Sequence, residues 1–204
     1  MGAHQSFDVL LFDLGGVLVD FAGFEQLDRI LGATTAAASI RERWIKSDAV
    51  SRFERGDISP VDFAKLFVAE WQLSASPDDF LHQFSDWSRG LYPGATRLLR
   101  HLQGSHRLAC LSNSNQVHGP SQRQWLDGLV EHFFFSYEMG AVKPDPAIFD
   151  RAIRRLQVHP KRIAYFDDTA VNVEAAADAG MSAHQATGLA ELSATLQYLG
   201  VIAG

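Results

Sequence analysis

Apolar and polar positions alternate along the chain in two distinct patterns. Three short runs are almost continuously apolar, as expected for strands that are buried on both faces of a parallel sheet. These runs are residues 7–12, 107–111 and 162–166. Other stretches place apolar side chains at helical spacing, and the helices predicted from them cover residues 93–103, 146–157 and 171–179. Alternation of strands with helices predicts an α/β fold with a doubly wound parallel sheet.

The segment after the first predicted strand has a different pattern. Residues 24–87 show helical spacing without a convincing strand, which indicates a helical insert. Trp44, Trp71 and Trp87 are expected to lie in the core of this insert. Because the insert leaves the chain just after the first strand, it should cover the carboxyl edge of the sheet, where open α/β folds bind ligands.

The length of the chain agrees with this division. Its 204 residues, of which 47% are hydrophobic, are enough for one domain that carries an insert. We predict a discontinuous core of residues 1–19 and 92–204, and a cap of residues 20–91. Opening of the cap would bend the chain near residues 20–21 and 88–93.

Charge and composition narrow the possible partners. With 18 Lys and Arg against 24 Asp and Glu, the net charge is −6, so the basic surplus that binding to a phosphate backbone requires is missing. No apolar run is long enough to span a membrane. The single cysteine, Cys110, suits a reducing compartment. We therefore expect a cytoplasmic protein that binds neither nucleic acid nor membrane, and the sequence leaves its oligomeric state open.

Polar residues follow three of the predicted strands at the point where each strand ends. They are Asp13, Ser112 with Asn113, and Asp167 with Asp168. Any one of these groups could serve as a helix cap or a turn. Parallel strands bring all three to one edge of the sheet, however, and clustered carboxylates need a cation. Mg²⁺ suits such an oxygen-rich site and often shares its coordination with a phosphate.

Four segments in chain order carry a resemblance to a known family. They read FDLGGVLVD at residues 12–20, LSN at 111–113, VKPD at 142–145 and FDD at 166–168. Together they resemble the four motifs of the haloacid dehalogenase (HAD) superfamily, and the resemblance extends from residue 7 to about residue 186. The first motif is most similar to that of subclass I phosphatases, a group that includes the alpha-D-glucose-1-phosphate phosphatases. The resemblance implies a Rossmann-like core with an inserted α-helical cap.

The resemblance also implies a role for each matching residue. Asp13 would attack phosphorus and form an aspartyl-phosphate, which splits one displacement into two easier ones. The Ser112 hydroxyl and the amide of Asn113 would hold the phosphate. Lys143 would balance the charge of the phosphate and of the carboxylates around it.

The expected Mg²⁺ ligands follow from the same resemblance. They are Asp13, the backbone carbonyl of Gly15, and Asp168. Asp167 stands where many members have glycine, so it is either a further carboxylate near the metal or the partner of the motif lysine. Gly15 and Gly16 are also expected to lie against the substrate.

Gly15 is the main departure from the family pattern. Most phosphatases of the family have a second aspartate here, which protonates the leaving oxygen and then activates water. Such acid-base help is worth about 10²–10⁴ in rate, so its loss is serious without being decisive. Three explanations stay open: a leaving group that needs little protonation, which we favour; a substitute such as Asp20 or His118; or a protein that binds its ligand and turns over little. For His118, a surface position on a helix is the simpler interpretation.

The cap is expected to select the substrate. Arg52 and Arg55 precede Gly56 between two helical patterns, where they could meet a substrate anion or remain in a solvated loop. The favoured function is that of a Mg²⁺-dependent phosphatase acting on a small phosphorylated metabolite, with a sugar phosphate as the preferred class. The alternatives are a catalytically weak homologue that binds a phosphorylated ligand or a protein partner and, less favoured, a 2-haloacid dehalogenase.

Overall fold

The computed structural model describes residues 6–32 and 37–203, with the backbone only for residues 37–39. The strands in these ranges are β1 (Val9–Phe12), β2 (Val19–Phe21), β3 (Ser88–Leu91), β4 (Arg107–Ser112), β5 (His132–Phe135), β6 (Ile163–Asp167) and β7 (Ser182–Gln185). The helices are α1 (Gly23–Leu31), α2 (Ala37–Lys46), α3 (Asp48–Arg55), α4 (Pro60–Trp71), α5 (Pro77–Ser85), α6 (Ala95–Leu102), α7 (Gly119–Trp125), α8 (Ser136–Met139), α9 (Pro146–Leu156), α10 (Ala170–Asp178) and α11 (Gly188–Tyr198). None of the helices within the described ranges has the length and hydropathy needed to cross a membrane.

The central element of the fold is a parallel sheet with the strand order β5-β4-β1-β6-β7. Phe12, the last residue of β1, pairs with Cys110 of β4 and with Phe166 of β6. Asp13 follows Phe12 directly, and Asp167 follows Phe166 as the last residue of β6. The two aspartates therefore lie at the same level at the carboxyl edge of the sheet. With helices packed on both faces, this arrangement confirms the predicted doubly wound, Rossmann-like α/β fold.

Both faces of the sheet are buried, which explains the apolar runs in the sequence. Along β1, Leu10 and Phe12 pack into the apolar cluster on one face, and Val9 and Leu11 pack into the cluster on the other. None of these four side chains is exposed to solvent. A strand of this kind shows no alternation of apolar and polar residues. The strands β4 and β6, which were also predicted from apolar runs, are buried along nearly their whole length.

A third apolar cluster lies among the helices α1–α5. Trp71 and Trp87 are buried in it, as predicted, whereas Trp44 is only half-buried and packs against the cluster. The helices α3, α4 and α5 begin at serine caps; at the start of α3, for example, the Ser47 hydroxyl accepts a hydrogen bond from the Val50 N–H. These caps and the apolar faces behind them account for the helical spacing of the insert.

The insert meets the core at two places that matter for the site. Its two ends pair as an antiparallel ribbon, β2 with β3, so the predicted hinge segments are hydrogen-bonded to each other over much of their length. At the far end of α3, Gly56 has a φ of +83°, and a Cβ there would lie 2.4 Å from the carbonyl oxygen of Tyr137 in α8. The end of α3 therefore rests directly on the core, beside the edge of the sheet.

Candidate active site

A cavity of about 330 Å³ lies between the carboxyl edge of the sheet and the helices of the insert. On the sheet side it is lined by Asp13, Gly15, Gly16, Ser112, Asn113, Lys143 and Asp168. On the other side it is lined by Phe24, Arg41, Trp44, Ile45, Val50, Ser51, Glu54 and Phe84. The three polar clusters predicted at the strand ends thus meet at one cavity, and one wall of that cavity is largely apolar.

Lys143 joins the two central strand ends. Its Nζ lies 2.9 Å from Oδ1 of Asp13 and 2.6 Å from Oδ2 of Asp167, and it donates a hydrogen bond to the carbonyl oxygen of Leu111 at 3.1 Å. Its side chain is 1% exposed. Burial alone would lower the pKa of Lys143, but the charges of Asp13 and Asp167 raise it above its ordinary value. The ammonium group therefore stays charged between the two carboxylates.

Asp167 is fully buried and accepts hydrogen bonds on both of its carboxylate oxygens. Besides Lys143, its donors are the Tyr165 hydroxyl, the Thr169 N–H at 2.8 Å and the Asn172 Nδ2, at 3.1 and 3.2 Å from the two oxygens. Burial acts to raise the pKa of Asp167, yet Lys143 and these donors hold it below its usual range. Of the two roles left open by the sequence, partnership with Lys143 is the one visible in the contacts.

Asp13 is surrounded by charge. Burial raises its pKa to about 7; the Lys143 ammonium opposes this rise, and the carboxylates of Asp167 and Asp168 add to it. One oxygen from each of the three carboxylates lies within 4.8 Å of the other two. Three carboxylates this close form a donor set that fits an oxygen-preferring divalent cation such as Mg²⁺.

Ser112 and Asn113, at the end of β4, contribute in different ways. Ser112 is buried and lines the cavity next to Asp13. The carboxamide of Asn113 faces the backbone of Lys143 instead: its Nδ2 donates to the Lys143 carbonyl at 3.0 Å, and its Oδ1 accepts from the Lys143 N–H at 2.8 Å. The side chain of Asn113 thus positions the lysine loop, whereas the resemblance implied that its amide holds the phosphate.

The comparisons with known proteins agree with this geometry. Residues 7–180 match the haloacid dehalogenase-like hydrolases. The chain belongs to this family. It is 28% identical over 193 residues to "(DL)-glycerol-3-phosphatase 1, mitochondrial" of Arabidopsis thaliana, a match that covers 85% of this chain and 61% of that protein. It is 24% identical over 192 residues to D-ribitol-5-phosphate phosphatase of Bacteroides thetaiotaomicron, covering 86% of this chain and 90% of that protein.

The fold of the chain is similar to that of a solved structure. The magnesium complex of a HAD family enzyme from Bacteroides thetaiotaomicron superposes with a TM-score of 0.73 at 24% identity, over 90% of this chain and 94% of that chain. Among the curated relatives the coverage is uneven, and the chain spans less than two thirds of the Arabidopsis protein.

The two glycines of the first HAD motif face different steric demands. Gly16 has a φ of +77°, and a Cβ there would lie 2.7 Å from Oδ2 of Asp168, so glycine is required. At Gly15 the nearest atom to an added Cβ is the Cβ of Phe21 at 3.7 Å, an ordinary contact. Packing therefore does not explain why this HAD chain lacks a carboxylate at position 15.

The two arginines that the sequence suggested for the substrate do not line this cavity. Arg52 lies 3.6 Å from the Asp48 carboxylate on its own helix. Arg55 donates to the Ser51 hydroxyl at 3.0 Å and lies 3.7 Å from the Asp57 carboxylate. Both side chains are more than 40% exposed.

Arg41 and Glu54 are the charged residues of the insert that line the cavity, among those the structure describes. The Arg41 guanidinium lies over the Phe24 ring at 4.5 Å, and its Nη1 is 3.7 Å from Oδ2 of Asp168. Glu54 is half-buried on α3, four residues after Val50, which lines the same cavity. Sequence reasoning missed both residues, although the i, i+4 spacing of Val50 and Glu54 places them on one helix face.

The two acid-base substitutes suggested by the sequence differ in position, because His118 lines the cavity and Asp20 does not. His118 is buried, so the expected surface position is wrong; its Nε2 lies 2.7 Å from the Phe84 carbonyl oxygen and its Nδ1 3.3 Å from Nδ2 of Asn115. Burial lowers the pKa of His118 to about 4. Asp20 lies outside the lining of the cavity, 3.8 Å from the Arg89 guanidinium.

Proposed function

We propose that the chain is a Mg²⁺-dependent phosphatase that removes phosphate from a small phosphorylated metabolite through an aspartyl-phosphate on Asp13. The observation that carries the proposal is the position of Asp13: it ends the central strand, lines the cavity and lies 2.9 Å from the Lys143 ammonium, beside Asp168. The names of the two relatives, a glycerol-3-phosphatase and a ribitol-5-phosphate phosphatase, support the same reaction class.

Mg²⁺ would be held by Asp13, Asp168 and the backbone carbonyl of Gly15, with Asp167 close by but already hydrogen-bonded. When bound, the ion would neutralise charge on the phosphoryl group and help to orient it. The crystallisation of a structural neighbour as a magnesium complex supports this choice of metal. Asp13 would be held for attack by Lys143, which also offsets the negative charge that the substrate brings in.

The remaining sheet-edge residues complete the binding site in this proposal. The Ser112 hydroxyl, at the end of β4, is placed to donate a hydrogen bond to a phosphoryl oxygen. Asn113 keeps the backbone of Lys143 fixed and so keeps its ammonium group aligned with Asp13. The backbone of Gly15 and Gly16 approaches the substrate closely because neither residue carries a side chain.

The size and lining of the cavity support the proposed substrate class. A volume of about 330 Å³ is at the small end of metabolite sites, which span roughly 300–1,000 Å³. The wall opposite the carboxylates combines apolar rings, Phe24 and Trp44, with the Arg41 guanidinium. A sugar phosphate or polyol phosphate fits this mixture of surfaces, and the insert, residues 20–91, would act as the cap that selects it over the core, residues 1–19 and 92–204.

The cellular location is part of the same proposal. Cys110 is a free, buried thiol, and burial raises its pKa to about 12, which makes it inert. A chain of this kind suits a reducing compartment, and we place it in the cytoplasm.

The test is phosphate release from a panel of sugar, polyol and acyl phosphates, with Mg²⁺ or with EDTA. Wild-type protein should release phosphate only with the metal, and Asp13→Asn should abolish the release because the amide cannot attack phosphorus. Asp150→Asn, an exposed carboxylate paired with Arg154 on α9, is the matched control and should retain full activity. Absence of release from the whole panel, or halide release from 2-haloacids, would contradict the proposal.

A further inference from the structure

Glu54 lines the same cavity as Asp13, on the wall formed by the insert. It belongs to α3, and Val50 and Ser51, one turn earlier on that helix, line the same cavity. Phe53, on another face of the helix, is buried in the apolar cluster of the insert. Since α3 is capped by a serine at its start and rests on α8 at its end, the position of Glu54 relative to the sheet edge is fixed.

The surroundings of Glu54 favour the protonated form of its carboxyl group. Burial raises the pKa of Glu54 to about 8 and the Asp13 carboxylate adds to the rise, while the Lys143 ammonium and a hydrogen bond from the Trp44 indole oppose it. The other charged or titratable groups that line the cavity are Arg41, His118 and Asp168. A neutral carboxyl group in a cavity that holds a nucleophile is both a proton donor and, once it has given up its proton, a base.

The proposed reaction needs such a group. An alkoxide leaving from phosphorus must take up a proton, and the water that later attacks the phosphoenzyme must lose one. Gly15 offers no side chain for this purpose. His118 has both ring nitrogens within 3.3 Å of other polar groups and is neutral at pH 7, and Lys143 is bound between two carboxylates. Among the described carboxyl groups that line the cavity, Glu54 is the one on the insert, with its pKa raised to about 8, while Asp13 is needed as the nucleophile and Asp168 for the metal.

We infer that Glu54 is the general acid and base of the proposed phosphatase reaction, supplied by the cap in place of a residue at position 15. The inference rests on the proposed function. An Asp13 carboxylate oxygen bonds to phosphorus while the ester P–O bond breaks, and the leaving oxygen takes the proton of Glu54 and departs as an alcohol. The Glu54 carboxylate then removes a proton from water, whose oxygen attacks phosphorus. The bond between phosphorus and Asp13 breaks, which releases phosphate and regenerates both carboxyl groups.

The test compares two substrates that differ in their need for a proton. Glycerol 3-phosphate has an alkoxide leaving group that must be protonated, whereas p-nitrophenyl phosphate releases a stable phenolate. For Glu54→Gln, which has the shape of the neutral acid, kcat/KM with glycerol 3-phosphate should fall by about 10² or more, and kcat/KM with p-nitrophenyl phosphate should stay within about threefold of wild type. The second ester should also show a burst of one phenolate per enzyme molecule, because hydrolysis of the phosphoenzyme has lost its base.

Two further variants separate a chemical role from a structural one. Glu42→Gln changes an exposed carboxylate of α2 that is paired with Lys46, and both substrates should react with it as with wild type. Gly15→Asp, combined with Glu54→Gln, adds a carboxylate at a position where a Cβ meets only ordinary contacts. This double variant should recover at least tenfold of the lost kcat/KM with glycerol 3-phosphate.

The outcomes distinguish this inference from the proposed function. Equal losses for the two esters in Glu54→Gln, or no loss for either, would overturn the role of Glu54 while leaving a phosphatase that depends on Asp13. No phosphate release by wild-type protein from these two esters and from the whole panel of sugar, polyol and acyl phosphates would remove the proposed function, and the inference would fall with it.

Discussion

The Lys143→Met variant tests how strongly the site depends on a buried cation. Methionine fills a similar volume without a charge, so the substitution leaves the Asp13 and Asp167 carboxylates without the ammonium that lies 2.9 and 2.6 Å from them. Breaking a buried ion pair by removing one partner typically costs about 3–5 kcal/mol. Asp13 limits this cost because its pKa is already raised to about 7 with Lys143 present, and it can take up a proton when the lysine is lost.

The remaining hydrogen bonds of Asp167 also reduce the stability that Lys143→Met loses. Asp167 keeps the Thr169 N–H, the Tyr165 hydroxyl and the Asn172 amide as donors, which support part of its charge. We therefore expect Lys143→Met to lower the free energy of unfolding by about 3 kcal/mol, toward the lower end of the range for buried pairs. At roughly 2–4 °C per kcal/mol for a chain of this size, the melting temperature should fall by about 6–12 °C.

The assay is urea unfolding followed by tryptophan fluorescence at pH 7 in EDTA, so that no metal compensates for the lost charge. Asp167→Asn and the double variant Lys143→Met with Asp167→Asn complete a cycle. The double variant should be less destabilised than the sum of the singles by about 1–3 kcal/mol, because no lone charge remains buried. Lys65→Met, at an exposed position of α4, should change the stability by less than about 0.5 kcal/mol. The dependence of the site on a buried cation would be contradicted if the losses in stability of the two single variants simply added in the double variant. It would also be contradicted if Lys143→Met lost no more stability than Lys65→Met.

Three other perturbations have clear expected results. The pKa of Glu54 is about 8 in the folded chain against 4.5 for the free residue, so between these pH values only the unfolded state loses this proton and Glu54 makes wild-type stability fall as the pH rises; Glu54→Gln should lack this contribution while keeping that of Asp13, and its gain over wild type in thermal melts should grow by up to about 1.4 kcal/mol per pH unit within the window. Gly16→Ala should lower both the melting temperature and the Mg²⁺ affinity measured by calorimetry, since its Cβ would lie 2.7 Å from a carboxylate oxygen, whereas Gly15→Ala should leave the melting temperature nearly unchanged. Arg41→Ala should raise KM for the best substrate, and Arg52→Ala, outside the cavity lining, should not; equal effects of the two would contradict the assignment of the cavity wall.

The sheet and its charged edge could be predicted from the sequence because both depend on local signals. A strand buried on both faces is apolar throughout, and the register that pairs Phe12 with Phe166 then brings Asp13 and Asp167 together without further information. The four motifs reinforced this interpretation. Burial of the tryptophans in the insert followed in the same way from helical spacing, except that Trp44 is shared between the apolar cluster and the cavity.

The residues that the sequence did not reveal depend on how the insert sits on the core. Whether Arg52 or Glu54 faces the cavity is decided by the rotation of α3, and that rotation is fixed by the buried Phe53 and by the contact of Gly56 with Tyr137, more than 80 residues away in the chain. His118 is likewise buried by the insert, and its Nε2 contacts the carbonyl oxygen of Phe84 in α5. Such contacts carry no local sequence signal.

The charged sheet edge and the Glu54 carboxyl group lie in different electrostatic surroundings. Three carboxylates already lie within 4.8 Å of one another at the sheet edge, with the ammonium of Lys143 among them. On the opposite wall, beside aromatic rings, burial and the nearby Asp13 carboxylate raise the pKa of Glu54 to about 8. In the proposed reaction, the charged groups that bind metal and phosphate therefore lie at the sheet edge. The carboxyl group that gives a proton, Glu54, lies on the cap.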